Sequence, residues 1–346
     1  MGAGNVLLMD TADSTPSPST PASAAADRGS PPRTLLQART PADIAAFVPL
    51  ALGFLPEHSV VMVSTGAPGG MQARVDLPHD PDDVDDVVEA LLRPARRHGV
   101  REVVVVVYDD DTTVADEAAW AIHEEFTAAG VEVREVLRVH DDHWYAVLPG
   151  APLADYRGVP FELAEHPFTA QAVFDGRVTH ASREALRATI GLDPVLAREV
   201  EDEICSAAPF PAGALGALVR RHLAAGTRFT RAELAAVALT VMAGSLRDEA
   251  WAGLGRPDAR GAVELWSDAV RRLPASHVAA PAAVLAFAAW LAGDGALAWC
   301  AVDRCHDVDP DHSLAGLVAQ LLEAATSPDD WEVLRPRLGG TADPAA

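Results

Sequence analysis

Apolar and polar positions follow two regimes along this chain. From Thr40 to Leu148, short β-branched runs alternate with stretches of helical spacing, and beyond Leu148 strand signals nearly vanish while helical spacing continues. Thr40-Pro41-Ala42-Asp43 reads as a helix start, with Thr at the N-cap, Pro first and an acid third, followed by Ile44, Phe47, Val48 and Leu52 on one face. Gly53 and Pro56 end that helix. Ser59 to Thr65 predicts a Val-rich strand, the Gly-rich stretch from Gly66 a turn, and Gln72 to Leu77 the partner strand of a hairpin. A helix is expected from about Asp82 to His98, closed by Gly99. Arg101 to Tyr108 holds five consecutive valines, a run suited to a central strand covered on both faces. Thr113-Val-Ala-Asp116 predicts the cap of a helix that runs to about Ala129, with Gly130 after it. Val131 to His140 and His143 to Leu148 read as two strands joined by Asp141-Asp142.

The fold class expected from this pattern is an α/β N-terminal domain, a mixed sheet with helices, followed by an all-α, tetratricopeptide-like C-terminal domain. In the second half Thr230-x-x-Glu233, Ser245-x-x-Asp248 and Ser327-Pro328-x-Asp330 mark helix starts. From Ala282 to Pro310, Leu285, Ala286, Gly293 and Ala298 occupy positions of a tetratricopeptide unit, with Ala289 where the signature aromatic would stand. The match is partial, so helical pairs are expected, not a full superhelix. The boundaries read as a disordered tail over 1–33, where Ser, Thr, Pro and Ala dominate, the α/β domain over 34–149, a helical linker region over 150–210, the helical domain over 211–338 and a disordered tail over 339–346.

Composition narrows the chemistry. The 346 residues carry a formal charge of -23, a field that repels polyanions, so no nucleic-acid partner is expected. The chain contains no lysine. A Walker-type P-loop, a protein-kinase strand lysine and Schiff-base catalysis are therefore all excluded. Three cysteines, Cys205, Cys300 and Cys305, fit reduced thiols in a cytoplasm better than a disulfide scaffold. Met1 to Asp10 lacks the charged start and apolar core of a signal peptide. Val278 to Ala292 is too short and too Ala-rich for a membrane span and reads as a buried helix, so no membrane partner is expected.

Four clusters hold candidate chemistry. Asp109, Asp110 and Asp111 follow the valine strand, where open α/β sheets place ligands, and with Asp76 they form the ligand-binding candidates. Their simpler role is to cap the next helix. His140-Asp141-Asp142-His143 offers imidazoles and carboxylates, making His140 and His143 weak metal candidates, but a polar hairpin tip explains the same residues. Cys305 to His312 is dense in potential ligands without zinc-knuckle spacing, and Cys300 and Cys305 read as small buried residues. Asp80 to Glu89 resembles a calcium loop but has Asp85 where Gly is required, and so reads as an acidic helix start. No cofactor is predicted.

Several strings together resemble a known family: Thr40 through Val61, Arg74-Val-Asp-Leu, Ser182-Arg-Glu-Ala-Leu, Ala289-Trp-Leu-Ala-Gly-Asp-Gly-Ala-Leu-Ala, Ala301-Val-Asp-Arg and Asp309-Pro-Asp-His-Ser-Leu-Ala. They are similar to the mainly actinobacterial domain-of-unknown-function family 4192, over roughly Thr34 to Ala325. The resemblance brings no activity, substrate or catalytic residue. Members often carry Cys-Cys-Pro after the last strand, where this chain has Leu148-Pro149-Gly150, so a thiol site there is not expected.

Two functions follow as expectations. The first is a cytoplasmic, non-enzymatic protein-interaction or regulatory module whose helical domain presents a groove to a protein partner. Trp251, Trp266, Trp290 and Trp299 motivate it, with Trp290, Trp299 and Asp294 as the partner-binding candidates; core packing is the simpler role of each tryptophan. The alternative is a metal- or small-molecule-dependent enzyme using the acids at the sheet's C-terminal edge, with Arg supplying any cationic stabilisation.

Overall fold

The computed structural model describes residues 7–9, 36–65 and 70–338. The rest of the two expected tails and the turn at 66–69 lie outside the described residues. The chain divides into two compact units, Met1–Ser182 and Arg183–Ala346.

In the first unit β1 (Leu7–Met9) pairs antiparallel with β2 (Leu36–Ala38), so a strand stands within the stretch expected to be a disordered tail. Next comes α1 (Pro41–Leu52), opened by the expected capping box: Thr40 Oγ1 accepts the Asp43 N–H at 3.1 Å, and the Asp43 carboxylate accepts the Thr40 N–H at 2.9 Å. Gly53 closes it at φ +78°, a conformation that favours glycine. There follow β3 (Ser59–Ser64), β4 (Gln72–Asp76), α2 (Val84–Arg97), β5 (Glu102–Tyr108), α3 (Thr112–Ala128), β6 (Glu132–His140), β7 (His143–Ala146), α4 (Leu153–Tyr156), β8 (Val159–Pro160) and α5 (Pro167–Phe174). The cap of α3 is Asp111 and not Thr113, since Asp111 Oδ1 accepts the Thr113 N–H at 2.8 Å.

Six strands form one sheet in the order β4-β3-β5-β6-β7-β8, with β5 and β6 parallel and every other pair antiparallel. The sheet is therefore mixed, and β8 carries it past Leu148. The pleat divides the valine run between two cores. Val103, Val105 and Val107 face α2 and α3, packing with Leu91, Ile122 and Phe126. Val104, Val106 and Tyr108 face α1, packing with Phe47 and Val48. All five valines are 1% exposed or less, and burying each contributes roughly 1.5–3 kcal/mol.

The second unit is helical: α6 (Arg183–Ala188), α7 (Pro194–Ile204), α8 (Ala214–Ala225), α9 (Arg231–Val241), α10 (Gly244–Arg247), α11 (Arg256–Arg272), α12 (Ala279–Leu291), α13 (Gly295–His306), α14 (Ser313–Glu323) and α15 (Asp329–Leu338). Thr230 and Glu233 form the expected capping box on α9. Ser245 instead lies inside the short α10, so its expected box with Asp248 is absent. From α11 to α14 each helix packs on the next, with Gly293 at φ +79° in the α12–α13 turn. Helix α12 is buried from Ala280 to Leu291, and no described helix is long and apolar enough to cross a membrane.

Candidate functional site

Antiparallel pairing of β3 with β5 sets Ser59 opposite Tyr108. One step further, beyond the strand ends, the same register brings His58 to Asp109 on the face that carries α2 and α3. His58 adopts a left-handed φ of +42°, and its carbonyl accepts the Leu77 N–H at 3.0 Å, which ties it to the end of β4. The Asp109 side chain is only 3% exposed. Its Oδ2 lies 2.5 Å from His58 Nδ1, and its Oδ1 accepts the Asp111 N–H at 2.8 Å.

Against the Asp109 carboxylate, which only accepts, His58 Nδ1 is the donor. His79 Nδ1 lies 3.2 Å from His58 Nε2, and His79 is exposed. The three side chains form a relay of contacts from the exposed His79 through His58 to a buried carboxylate. Beside it, Arg138 on β6 lies over the Tyr145 ring at 4.1 Å and approaches the Asp109 carbonyl at 3.5 Å. Arg138 makes no ion pair among the described residues. Burial raises the Asp116 carboxyl on α3, and the charge of Arg138 works against that rise.

The model of the family described as domain of unknown function (DUF4192) matches residues 41–329. The chain belongs to this family. No curated protein and no solved structure matches it.

In this DUF4192 protein only one of the expected acids, Asp109, enters the relay. Asp110 is exposed, and Asp111 caps α3. Asp76 is not brought to them: it pairs in register with Ser59, which puts it on the opposite face of the sheet, where it forms an ion pair with Arg74 at 2.6 Å. His140 and His143 face each other across the hairpin, but His140 pairs with Asp141 at 3.1 Å and His143 Nδ1 bonds the Asp141 carbonyl at 2.8 Å. Among the described residues no group of three or more His, Cys, Asp or Glu is placed to hold a metal ion. The sequence reading did not single out His58, His79, Arg138 or Tyr145. Only His58 stood within a string that carried the family resemblance.

In the helical unit of this DUF4192 chain, Trp290 is 5% exposed and its Nε1 donates to the Thr326 carbonyl at 3.1 Å, so it packs in the core. Asp294 caps α13 by accepting the Leu297 N–H at 2.9 Å. Trp299 is half-buried. Burial pushes the thiol of Cys300 up to about 11 and that of Cys305 up to about 12, which keeps both neutral and unreactive.

His312 caps α14, its Nδ1 accepting the Ala315 N–H at 3.4 Å. Burial first, then the charge of Arg247, lowers its pKa below the ordinary 6.5. A histidine with a depressed folded-state pKa supports the fold above its unfolded value and loses that support as pH falls through the folded value. The helical unit is therefore expected to lose melting temperature on acidification below pH 6.5. His312→Asn, which caps without titrating, should flatten that limb; an unchanged slope would assign it to other groups.

Proposed function

We propose that this protein binds a small anionic ligand at the C-terminal edge of its sheet and moves a proton on or off it. The observation that carries this reading is the buried Asp109 carboxylate 2.5 Å from His58 Nδ1, with His79 in series. His79 Nε2 takes the proton from the ligand, His79 Nδ1–H passes to His58 Nε2, and the proton on His58 Nδ1 is drawn toward Asp109. Arg138, held flat by Tyr145 and in no ion pair among the described residues, supplies the positive charge that favours an anion. Loops before β3 and after β4, β5 and β6 meet at this edge, the place where α/β sheets present ligands. The three unpaired cysteines support a cytoplasmic setting.

Titrating the labelled protein with a panel of small carboxylates and phosphates should shift the NMR signals of His58, His79, Asp109 and Arg138 together. For a ligand that is turned over, His58→Ala should cut the rate by about 10²–10⁴-fold. Shifts elsewhere, or none across the panel, would remove the proposal. A second reading retains a protein partner for the helical unit, with α11 to α14 as tetratricopeptide-like pairs. Of the anchors expected for it, the half-buried Trp299 supports it.

A further inference from the structure

The opposite face of the same sheet carries a different anomaly. Ser59 Oγ, Tyr108 OH and Trp144 Nε1 are buried, their residues only 0%, 6% and 7% exposed, and have no hydrogen-bond partner among the described residues. The strand register places them in one row: Ser59 pairs with Tyr108, Tyr108 with Val139, and Val139 with Trp144. By the pleat all three side chains point into the layer beneath α1, among Ile44, Phe47, Val48 and Phe168. Arg74 Nε, one step along on the neighbouring β4, is a fourth buried atom on this face without a partner among the described residues, although the same guanidinium pairs with Asp76 through its other end.

A single buried polar atom left unmatched is costly, and a contiguous group of them is rarely left so. The chemistry of the group is one-sided. An indole N–H and a guanidinium N–H only donate, while the two hydroxyls can donate as well as accept. Burial also raises the Tyr108 phenol, which keeps its proton available. Among the described residues no acceptor reaches the indole N–H or the guanidinium Nε–H.

We infer that the layer between this face of the sheet and α1 encloses a hydrogen-bond-accepting guest, held by Ser59, Tyr108 and Trp144, whose oxygen belongs either to ordered water or to a small carbonyl compound. This site is independent of the relay, which lies on the other face.

The sign of a stability change tests it. Tyr108→Phe and Ser59→Ala each remove one oxygen and leave the backbone and most of the packing in place. If the hydroxyls hold a guest, each variant lowers the melting temperature of the sheet unit by about 2–4 °C. If they are empty-handed, removing a buried unmatched hydroxyl leaves melting unchanged or raises it, and the inference falls. Native mass spectrometry of the gently purified chain separates the two guests. An added organic mass on the wild type that Tyr108→Phe loses identifies a carbonyl compound, and a melting loss without any added mass identifies water.

Discussion

Replacing Phe287 by Ala is expected to destabilise the helical unit by about 3–5 kcal/mol. Phe287 lies on α12 at 1% exposure, and its ring meets Trp251 at 4.9 Å, Trp331 at 5.1 Å and Trp290 at 5.6 Å between centroids. Trp251 and Trp331 also meet each other at 5.7 Å, so the truncation empties the middle of a four-ring cluster. Each aromatic contact contributes about 0.5–1.5 kcal/mol beyond burial. The outer rings are themselves anchored, since Trp331 Nε1 donates to the Leu254 carbonyl at 2.8 Å and Trp290 Nε1 to Thr326, and they cannot collapse freely into the space. Denaturant unfolding followed by tryptophan fluorescence measures the loss directly, because the reporters line the cavity. Phe287→Leu, which keeps part of the volume, should cost less. A loss below about 1 kcal/mol for Phe287→Ala would mean that the cluster is not the core of this unit.

Gly158→Ala is expected to damage both the sheet edge and the ligand site. Gly158 precedes β8 at φ +95°, where an L side chain is strained by about 1–3 kcal/mol. A Cβ there would stand 2.5 Å from Tyr145 Cε1 and 2.9 Å from Cζ, so the ring must move. That ring is the platform beneath Arg138. The variant should therefore melt earlier and bind an anionic ligand more weakly, while the Asp109–His58 contact, beside β5 and β3 and separated from β7 by β6, stays intact. Thermal unfolding and the same NMR titration report the two effects separately. A variant that melts and binds like the wild type would show that Tyr145 does not position Arg138.

Local elements were legible because their signals are local. The Thr40 capping box, the glycines that close α1, α2 and α3, and the both-face burial of β5 follow from neighbouring residues and from period. The errors have equally definite causes. Asp111, not Thr113, caps α3 because the helix begins two residues earlier than the Thr-x-x-Asp pattern implied. Trp290 has the simpler of its two expected roles, core packing, because it is buried on α12, which is apolar all round. Part of the site was visible as Asp109 at a strand end. Its partners were not, because His58 lies 51 residues away and meets Asp109 only through strand pairing.

By itself the sequence determined the kinds of element, their order, and the change from a strand-bearing first half to a helical second half. Capping, turn chemistry and hydrophobic period act over a few residues and need no distant partner. The tertiary structure alone decided the strand order and register. Those place Asp109 beside His58 with Arg138 near, send Asp76 to the far face, and set Ser59, Tyr108 and Trp144 in one buried row. The physical reason is that a one-residue change of register moves every side chain of a strand to the other face. The register is selected by how both cores pack at once, and no window of neighbouring residues contains that information.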